Sequence, residues 1–452
     1  MKDFMLFLSL LLIASAALSL GQSGIKYEDS RPHQSVNSRQ LYESEPFVRV
    51  RVMNSAGTVK IIFFDEWILS SGETRKRFSA DSNEVIFQIQ NGSIAAKDKH
   101  GEAILSGTSF VLTGKNPGAS LKVKDVPYGV GWWWEGKEDK IYGGELSFYV
   151  NKEEIFEVVI GLPLEEYLKG VVPYEIGGDS PLEAIKAQAV AARSEALTAL
   201  KSKVYSGEYY DLTSDVECQV YGGNERRTEI SDRAVIETSG QVVFENQSPI
   251  SAYYASNCGG HSELIKNVWP DRYVWDSYAV SGFDWNEPSS IDLSNDEKVR
   301  DWILSSPQSY CNPETNAGLP QWSKNNFRWK REFTVDEIST MASGGKEKGN
   351  LLDIRSLNRG TSGRITKAEF LFEKDTLLVE GELKIRQMFT PPLRSSAFIV
   401  DRSEIGFLIQ GAGWGHGVGM CQSGAVAMAN LGKTFDAILK HYYKKSELVK
   451  MY

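Results

Sequence analysis

A glutamate flanked on both sides by apolar residues is the strongest candidate for chemistry in this sequence. Glu175 lies in the run Val171–Ile176, whose other members are two valines, a proline, a tyrosine and an isoleucine. Apolar surroundings disfavour the ionised carboxylate and raise its pKa towards neutrality, as a general acid requires. A helix start nearby would favour the ionised form, but Gly177 and Gly178 intervene, so we expect desolvation to dominate. The alternative is an ordinary glutamate on a surface loop.

The helix predicted after Glu175 carries unusually small side chains. Ser180 suits the N-cap, Pro181 suits the first helical position and Glu183 completes a capping-box pattern, so a helix should begin here. Apolar residues at three- and four-residue steps define a core face, and a second row of small residues allows close packing. The pattern predicts a helix buried on two faces. The first row is Leu182, Ile185, Ala189, Ala192 and Ala196, and the second is Ala184, Ala187, Ala191 and Ser194.

Glycine occupies every second position from Gly411 to Gly419. In an extended chain this spacing leaves one face bare, with Trp414 and His416 among the side chains on the other face. A bare face admits either a sugar ring or a close internal backbone contact, and both could hold. His416 could hydrogen-bond a substrate or orient Glu175; a satisfied structural histidine is the alternative.

The order of patterns along the chain predicts an α+β fold. Residues 46–160 contain short alternating apolar segments between Asn and Gly turns, which is typical of a β-rich domain. Trp132–Trp134 in this part could stack on sugars or fill a core or interface. Residues 161–452 mix helices and strands around the buried Ala-rich helix, with an irregular insertion around residues 280–330. Further expected elements are strands at Gln241–Phe244, Ile250–Tyr254 and Arg364–Phe370, a short helix at Leu164–Lys169 and a C-terminal helix around Ala425–Tyr443.

Charge and the N-terminal segment limit the location and the partners. The 452 residues carry a formal net charge of -9, which argues against nucleic acid or anionic lipid as the main partner and leaves polysaccharides open. Residues 1–22, with the apolar run Phe4–Leu20, indicate a secretory signal peptide, and residues 23–45 indicate a flexible leader. We therefore expect an exported protein of the periplasm, cell wall or extracellular space, held at a membrane only if the signal segment is retained.

Six segments occur in an order that resembles one known family. Together they resemble the SpoIID/LytB family (stage II sporulation protein D) from about Leu162 to Leu448. The resemblance implies a peptidoglycan lytic transglycosylase with Glu175 as acid and base. One carboxylate can suffice for that reaction, because the C6 hydroxyl of muramic acid attacks its own anomeric carbon and closes a 1,6-anhydro ring. The segments are Val171–Arg193, Cys218–Gly223, Tyr253–Gly260, Arg359–Ile365, Leu393–Phe398 and Gly411–Ala425.

Other functions remain open beside this one. The runner-up is a non-catalytic glycan-binding protein that enhances an N-acetylmuramoyl-L-alanine amidase, as the second half of the family name suggests. A metal-dependent hydrolase is a third interpretation, and it would need an open zinc site with a bound water. Within the matched segments, substrate binding is assigned to Gln188, Arg193, Tyr221, Trp414, His416 and Gln422.

The resemblance also bears on the cysteines. Cys218 lies where this family tends to place metal-binding residues, and Cys258 and His261 form a C-x-x-H element. A structural zinc on these three residues is one interpretation, with Glu217 or water as the fourth ligand. A Cys218–Cys258 disulfide or free thiols are the alternatives in an oxidising compartment. The remaining cysteines, Cys311 and Cys421, are expected to be small packing residues.

Overall fold

The computed structural model describes residues 42–80, 84–131, 134–270, 282–286 and 291–452. The predicted signal peptide and nearly all of the predicted leader lie outside these residues, as do Trp132 and Trp133. The described residues form both helices and several sheets, which confirms the α+β class. Among them, no helix combines the length and the apolar character needed to cross a bilayer.

The N-terminal part is strand-rich, as predicted. Its strands form two antiparallel sheets, ordered β1-β12-β11-β8-β3-β4 and β10-β9-β2-β5-β6-β7. Phe87 of one sheet stacks on Phe148 of the other with ring centroids 4.1 Å apart, so aromatic side chains join the two sheets. The strands are β1 (Phe47–Ser55), β2 (Val59–Phe63), β3 (Trp67–Ser71), β4 (Thr74–Phe78), β5 (Glu84–Gln90), β6 (Ser93–Asp98), β7 (Ala103–Gly107), β8 (Phe110–Gly114), β9 (Leu121–Tyr128), β10 (Gly136–Tyr142), β11 (Glu145–Val150) and β12 (Phe156–Pro163).

Beyond β12 the chain alternates helices with short sheets. The helices are α1 (Leu164–Val172), α2 (Leu182–Ser202), α3 (Glu229–Glu237), α4 (Ile265–Val268), α5 (Asp296–Leu304), α6 (Gln321–Lys324), α7 (Val335–Ser343), α8 (Glu382–Gln387), α9 (Gln422–Asn430) and α10 (Phe435–Tyr442). The strands are β13 (Leu212–Thr213), β14 (Gln241–Glu245), β15 (Ser248–Pro249), β16 (Tyr254–Ala255), β17 (Arg328–Thr334), β18 (Leu351–Arg359), β19 (Ile365–Phe372), β20 (Thr376–Glu380), β21 (Phe398–Arg402), β22 (Gly406–Ala412), β23 (Met420–Cys421) and β24 (Glu447–Lys450). Strand β13 pairs with β1 in parallel, and the other sheets are β15-β14-β24, β16-β23, β17-β22-β21 and β18-β19-β20.

Helix α2 is the buried centre of the second part. It packs against α1, α3, α9, α10 and β14, and both predicted rows are buried except for the half-buried Leu182. Its small side chains let these neighbours approach closely. One hydrophobic core includes residues of β1 and of α2, and β12 continues to Pro163. The predicted division of the chain at residue 160 therefore stays a prediction.

The predicted capping box at the start of α2 is wrong. The hydroxyl of Ser180 donates to the carbonyl of Ile176 at 2.7 Å, so it satisfies the preceding turn instead of the helix. Glu183 accepts from the backbone amide of Phe435 at 2.8 Å and so links α2 to α10. The helix begins at the predicted place, but a local contact uses the side chain of Ser180 and a tertiary contact uses that of Glu183.

Three other elements differ from expectation. The C-terminal helix is two helices, α9 and α10, because the chain turns between them at Gly432, whose φ is 78°. Of Ile250–Tyr254, only Tyr254 is in a strand. The described part of the irregular insertion contains α5, which is capped by the side chain of Asn295.

The glycine-rich segment is not an extended strand. Strand β22 ends at Ala412, and the next alternate glycines have positive φ, so the chain turns repeatedly. A Cβ at Gly417 would lie 2.3 Å from the guanidinium carbon of Arg364, and one at Gly419 would lie 1.9 Å from the carbonyl oxygen of Tyr253. The glycines therefore serve close internal packing, which was one of the two interpretations offered.

Candidate active site

Glu175 lies on a π-helical turn, Pro173–Gly177, that extends α1. Such turns widen the backbone spiral and recur at functional sites. Gly177 has a φ of 88° and ends the turn before α2 begins. The side chain of Glu175 is half-buried. It is therefore withdrawn from bulk water yet retains some exposure.

The carboxyl group of Glu175 is held by groups from distant segments. The backbone amide of Val220 donates to Oε1 at 2.9 Å, and the side chain of Tyr254 also hydrogen-bonds the carboxyl group. Desolvation raises the pKa of Glu175 to about 6, and these hydrogen bonds partly oppose the rise because they favour the ionised form. The apolar residues on both sides of Glu175 in the sequence had indicated that its pKa would be raised.

Tyr254 is a site residue that sequence reasoning did not assign. Its hydroxyl accepts from Nε2 of Gln219 at 3.2 Å, which leaves its own proton for the carboxyl group of Glu175. Gln219 is itself fixed, because it also donates to the carbonyl of Ala192 and accepts from the hydroxyl of Tyr167. The only sequence signal for Tyr254 was its place in the segment Tyr253–Gly260.

Gln422 holds the backbone of the candidate acid and is itself held by Gln188. Nε2 of Gln422 donates to the carbonyl of Glu175 at 3.1 Å and to Oε1 of Gln188 at 3.2 Å. Gln188 is fully buried and Gln422 is 4% exposed. Burial argues against direct substrate contact for both residues, so their role in this structure is to position Glu175.

Two further residues that were predicted to bind substrate instead make contacts inside the protein. Arg193 is fully buried and its guanidinium forms a bidentate ion pair with Glu165 at 2.8 and 2.6 Å. Tyr221 is 3% exposed and stacks on Tyr142 with ring centroids 5.7 Å apart. The structure places neither side chain where a polymer could reach it.

A second carboxylate lies in this region. Glu195 is on α2, and its charge contributes to raising the pKa of both Tyr254 and Tyr167 above the usual value, after desolvation as the main cause. Sequence reasoning did not single out Glu195.

Trp414 and His416 are half-buried and face different neighbours. The guanidinium of Arg394 lies over the ring of Trp414, 5.2 Å from its centroid. Nδ1 of His416 accepts from the amide of Val418 at 3.0 Å, and its ring packs against Trp269 with centroids 4.9 Å apart. The structural interpretation of His416 accounts for these contacts.

Trp414 lines an open groove of about 350 Å³, here called the tryptophan–arginine groove. Contacts connect this groove to the turn that carries Glu175. Arg394 donates to Oδ1 of Asn326 at 3.0 Å, and Nδ2 of Asn326 donates to the carbonyl of Trp322 at 2.9 Å. A Cβ at Gly177 would lie 3.7 Å from the indole nitrogen of Trp322. The groove is lined by Trp329, Lys330, Arg331, Pro391, Pro392, Arg394 and Trp414.

The three predicted zinc ligands are not assembled. The sulfur of Cys218 contacts the hydroxyl of Tyr205 at 3.6 Å. Both ring nitrogens of His261 hydrogen-bond backbone carbonyls, those of Ser262 and Ile291, at 2.9 and 2.8 Å, so neither is directed at a shared ion. Cys258 instead lies beside three residues that were not among the predicted zinc ligands.

Those residues form a buried group that could hold a metal ion. Its four candidate ligand atoms lie within 4.8 Å of one another. We call it the cysteine–aspartate cluster, and its members are Cys258, Asp284, Cys311 and Cys421. All four cysteines of the chain are free thiols, so the Cys218–Cys258 disulfide that was the alternative to zinc is not formed in this structure.

Comparison with known proteins finds similarity over two parts of the chain. Residues 152–244 match the family described as Stage II sporulation protein (SpoIID), and residues 272–419 match a domain of unknown function. The chain is 29% identical over 309 residues to an uncharacterized protein of Brachyspira hyodysenteriae, covering 68% of this chain and 72% of that protein.

Two Bacillus subtilis proteins are also similar. The chain is 28% identical over 305 residues to stage II sporulation protein D, covering 64% of this chain and 75% of that protein. It is 28% identical over 293 residues to the amidase enhancer, covering 62% of this chain and 40% of that longer protein. The family match to residues 152–244 and these relatives agree with the resemblance to the SpoIID family.

Proposed function

We propose that the protein is an exported peptidoglycan lytic transglycosylase with Glu175 as its acid and base. The observation that carries this proposal is the half-buried Glu175 carboxyl group, whose pKa is raised to about 6 by desolvation. A group with this pKa exists in both protonation states near neutral pH, so it can both give and take a proton during one turnover.

The reaction needs two proton transfers at one carboxyl group. Protonated Glu175 gives its proton to the bridging oxygen as the bond from that oxygen to C1 of muramic acid breaks. The C6 hydroxyl of the same sugar attacks C1, and its proton passes to the Glu175 carboxylate. The new bond from C1 to O6 closes the anhydro ring and returns Glu175 to its acid form. Water takes no part in this sequence.

The tryptophan–arginine groove offers a path for the glycan strand. Trp414 and Trp329 provide aromatic faces suited to the CH surfaces of sugar rings. Arg394 and Lys330 provide positive charge for the lactyl carboxylate of muramic acid or for acidic stem peptides. The path would run from the Glu175 turn past Trp322 into this groove.

A second candidate function is enhancement of an N-acetylmuramoyl-L-alanine amidase without catalysis. It is favoured by the similarity to a protein named amidase enhancer. This function would use the same groove for glycan binding but would not need a proton donor with a pKa near 6.

Product analysis decides between these functions. Purified sacculi are digested with the full chain and the muropeptides are identified by mass spectrometry. We expect termini with a 1,6-anhydro ring and no new reducing ends. Glu175→Gln should lose about 100-fold or more of this activity, because the amide cannot deliver a proton. Glu166→Gln is the matched control, since Glu166 lies on the surface of α1 in ion pairs with Lys169 and Arg227.

The other outcomes are equally informative. New reducing ends would indicate hydrolysis, and their loss in Glu195→Gln would make Glu195 the second carboxylate of a hydrolase. Absence of any cleavage, together with faster release of peptides by a cognate amidase, would establish the enhancer function instead. Full activity in Glu175→Gln would remove Glu175 from the mechanism.

A further inference from the structure

The cysteine–aspartate cluster joins four separate parts of the chain. Cys258 follows β16, and Asp284 lies in the short described stretch 282–286. Cys311 lies in the turn after α5, and Cys421 immediately precedes α9. The four residues are between 0% and 3% exposed, so the cluster is closed to solvent.

The spacing of the ligand atoms suits a tetrahedral metal centre. The sulfur atoms of Cys258 and Cys311 are 3.6 Å apart, and the sulfur of Cys258 is 3.3 Å from Oδ2 of Asp284. Zinc bonds of about 2.3 Å to sulfur and about 2.1 Å to oxygen give tetrahedral edges of about 3.8 Å and about 3.6 Å. A disulfide needs about 2.05 Å between sulfurs. The observed separation is therefore close to that of two ligands of one ion.

Outer hydrogen bonds hold the Asp284 ligand in place. Oδ1 of Asp284 accepts from the hydroxyl of Tyr442 at 2.9 Å and lies 3.2 Å from Nε2 of His441. These contacts leave Oδ2 to face the cysteines. Metal sites characteristically fix their ligands through such outer partners.

Backbone amides are directed at the Cys421 sulfur. The amide of Cys258 donates to it at 3.2 Å and the amide of Gly424 at 3.4 Å. A Cβ at Gly424 would lie 2.0 Å from the Tyr442 hydroxyl, so only glycine allows this approach. Donors aimed at a buried sulfur favour the thiolate, which is the form that binds metal.

Positive charge also lies beside the cluster. The guanidinium of Arg328 donates to the carbonyl of Gly259 at 3.0 Å, and that of Arg364 donates to the carbonyl of Cys258 at 3.4 Å. Three thiolates and a carboxylate around a divalent ion leave a net negative charge. These two arginines can offset part of it.

We propose that Cys258, Asp284, Cys311 and Cys421 bind one structural zinc ion. Three sulfur ligands select zinc over calcium or magnesium, and four protein ligands leave no open position for a catalytic water. The ion attaches Asp284 and Cys311, both in the predicted insertion, to the two segments that hold Glu175. Cys421 adjoins Gln422, and Cys258 follows the β16 strand that begins with Tyr254.

The first test measures metal in the full chain purified without chelator. We expect about one equivalent of zinc, and chelation should lower the melting temperature because metal binding contributes to folding. Cys311→Ser and Asp284→Asn should each lower the zinc content. Cys218→Ser is the matched control and should retain it. Tyr442→Phe should weaken zinc binding about 10- to 100-fold, since it removes an outer hydrogen bond and leaves all four ligands.

Several outcomes would overturn the proposal. Metal-free protein that melts at the same temperature with and without chelator would do so, as would a Cys258–Cys311 disulfide found by thiol counting. Zinc retained in both Asp284→Asn and Tyr442→Phe but lost in Cys218→Ser would return the site to the residues predicted from the sequence. If Cys311→Ser does not fold, the wild-type metal content and the Tyr442→Phe affinity still decide. None of these measurements depends on whether the protein cleaves peptidoglycan.

Discussion

At the scale of single residues, Glu175 combines two opposing requirements. A general acid must keep its proton near neutral pH, which burial promotes, but it must also meet its substrate, which burial prevents. The π-helical turn places Glu175 half-buried among Val220, Tyr254 and Gln422, so its pKa rises to about 6 without full enclosure. The raised pKa has a cost in stability that can be measured.

Glu175→Gln should stabilise the protein above neutral pH. The folded-state pKa is raised from 4.5 to about 6, so the folded protein loses stability as pH rises through this interval. The full cost, about 2 kcal/mol, is present above about pH 6 and absent below about pH 4. The uncharged amide of the variant carries no such cost. Urea unfolding at pH 7.5 and pH 4 should show a gain for the variant only at the higher pH.

The opposite dependence on pH would contradict this account of Glu175. A variant less stable than the wild type at pH 7.5 would show that the fold favours the ionised carboxylate. The folded-state pKa of Glu175 would then lie below its ordinary value. Glu404→Gln, which removes an exposed carboxylate, is the control for general effects of charge.

The sequence identified Glu175 as the candidate acid, but it did not identify most of the residues that contact Glu175 in the fold. The apolar run Val171–Ile176 is local, so its effect on the pKa of Glu175 could be inferred directly. The groups that hydrogen-bond the side chain and the backbone of Glu175 are 45 to 247 residues away and meet Glu175 only in the fold. Motif membership also does not report exposure, which is why the buried Gln188 and Arg193 were assigned to substrate binding.

At the scale of elements, α2 is tied to α1 by a buried ion pair. Arg193 of α2 is fully buried and bonds Glu165 of α1, and Glu165 also accepts from the backbone amide of Gly240 at 3.1 Å. The pKa of Glu165 is lowered because its hydrogen bonds and charge pairing with Arg193 outweigh desolvation. The packing of α1 against α2 therefore depends on the negative charge of Glu165 being balanced by Arg193.

Arg193→Met should destabilise the protein by about 3–5 kcal/mol, because it leaves Glu165 as an uncompensated buried charge. Urea unfolding at pH 7 measures the loss. Combining it with Glu165→Leu should restore much of the stability, since both charges are then absent. Arg233→Met is the matched control, as Arg233 lies 3.5 Å from Glu237 at the surface, and should cost less than about 1 kcal/mol.

The Arg193 variant also tests the assignment made from the sequence. A folded Arg193→Met protein with wild-type stability but weakened binding to sacculi would restore Arg193 as a substrate-binding residue. The structural role predicts the reverse, with lost stability and unchanged affinity in the fraction that remains folded.

Periodicity predicted α2 well because its burial pattern is encoded in adjacent residues. It predicted the Gly411–Gly419 segment poorly, because alternating glycines fit both an extended strand and a series of turns. The choice depends on backbone from Tyr253 and the side chain of Arg364, which approach the segment from elsewhere in the chain. Local patterns specify elements, whereas tertiary contacts decide how glycine is used.

At the scale of the whole molecule, distant segments converge around Glu175. The segments around Tyr254 and Gln422 pair as β16 and β23, hold Glu175 and supply two members of the cysteine–aspartate cluster. From the Glu175 turn, contacts through Trp322 and Asn326 lead to the tryptophan–arginine groove. Contacts therefore connect the candidate acid, the cysteine–aspartate cluster and the tryptophan–arginine groove.

Trp414→Ala should weaken binding to purified sacculi without unfolding the protein. The ring is half-buried under the guanidinium of Arg394 and lines the groove, so its removal deletes a stacking surface rather than a core contact. We expect about a 5- to 30-fold loss, as for one aromatic stacking contact of about 1–2 kcal/mol. Co-sedimentation with sacculi measures the affinity, and thermal melting monitors the fold. Phe64→Ala, which removes an exposed aromatic ring outside the groove, is the control. Equal binding by the two variants would place the glycan path elsewhere on the molecule.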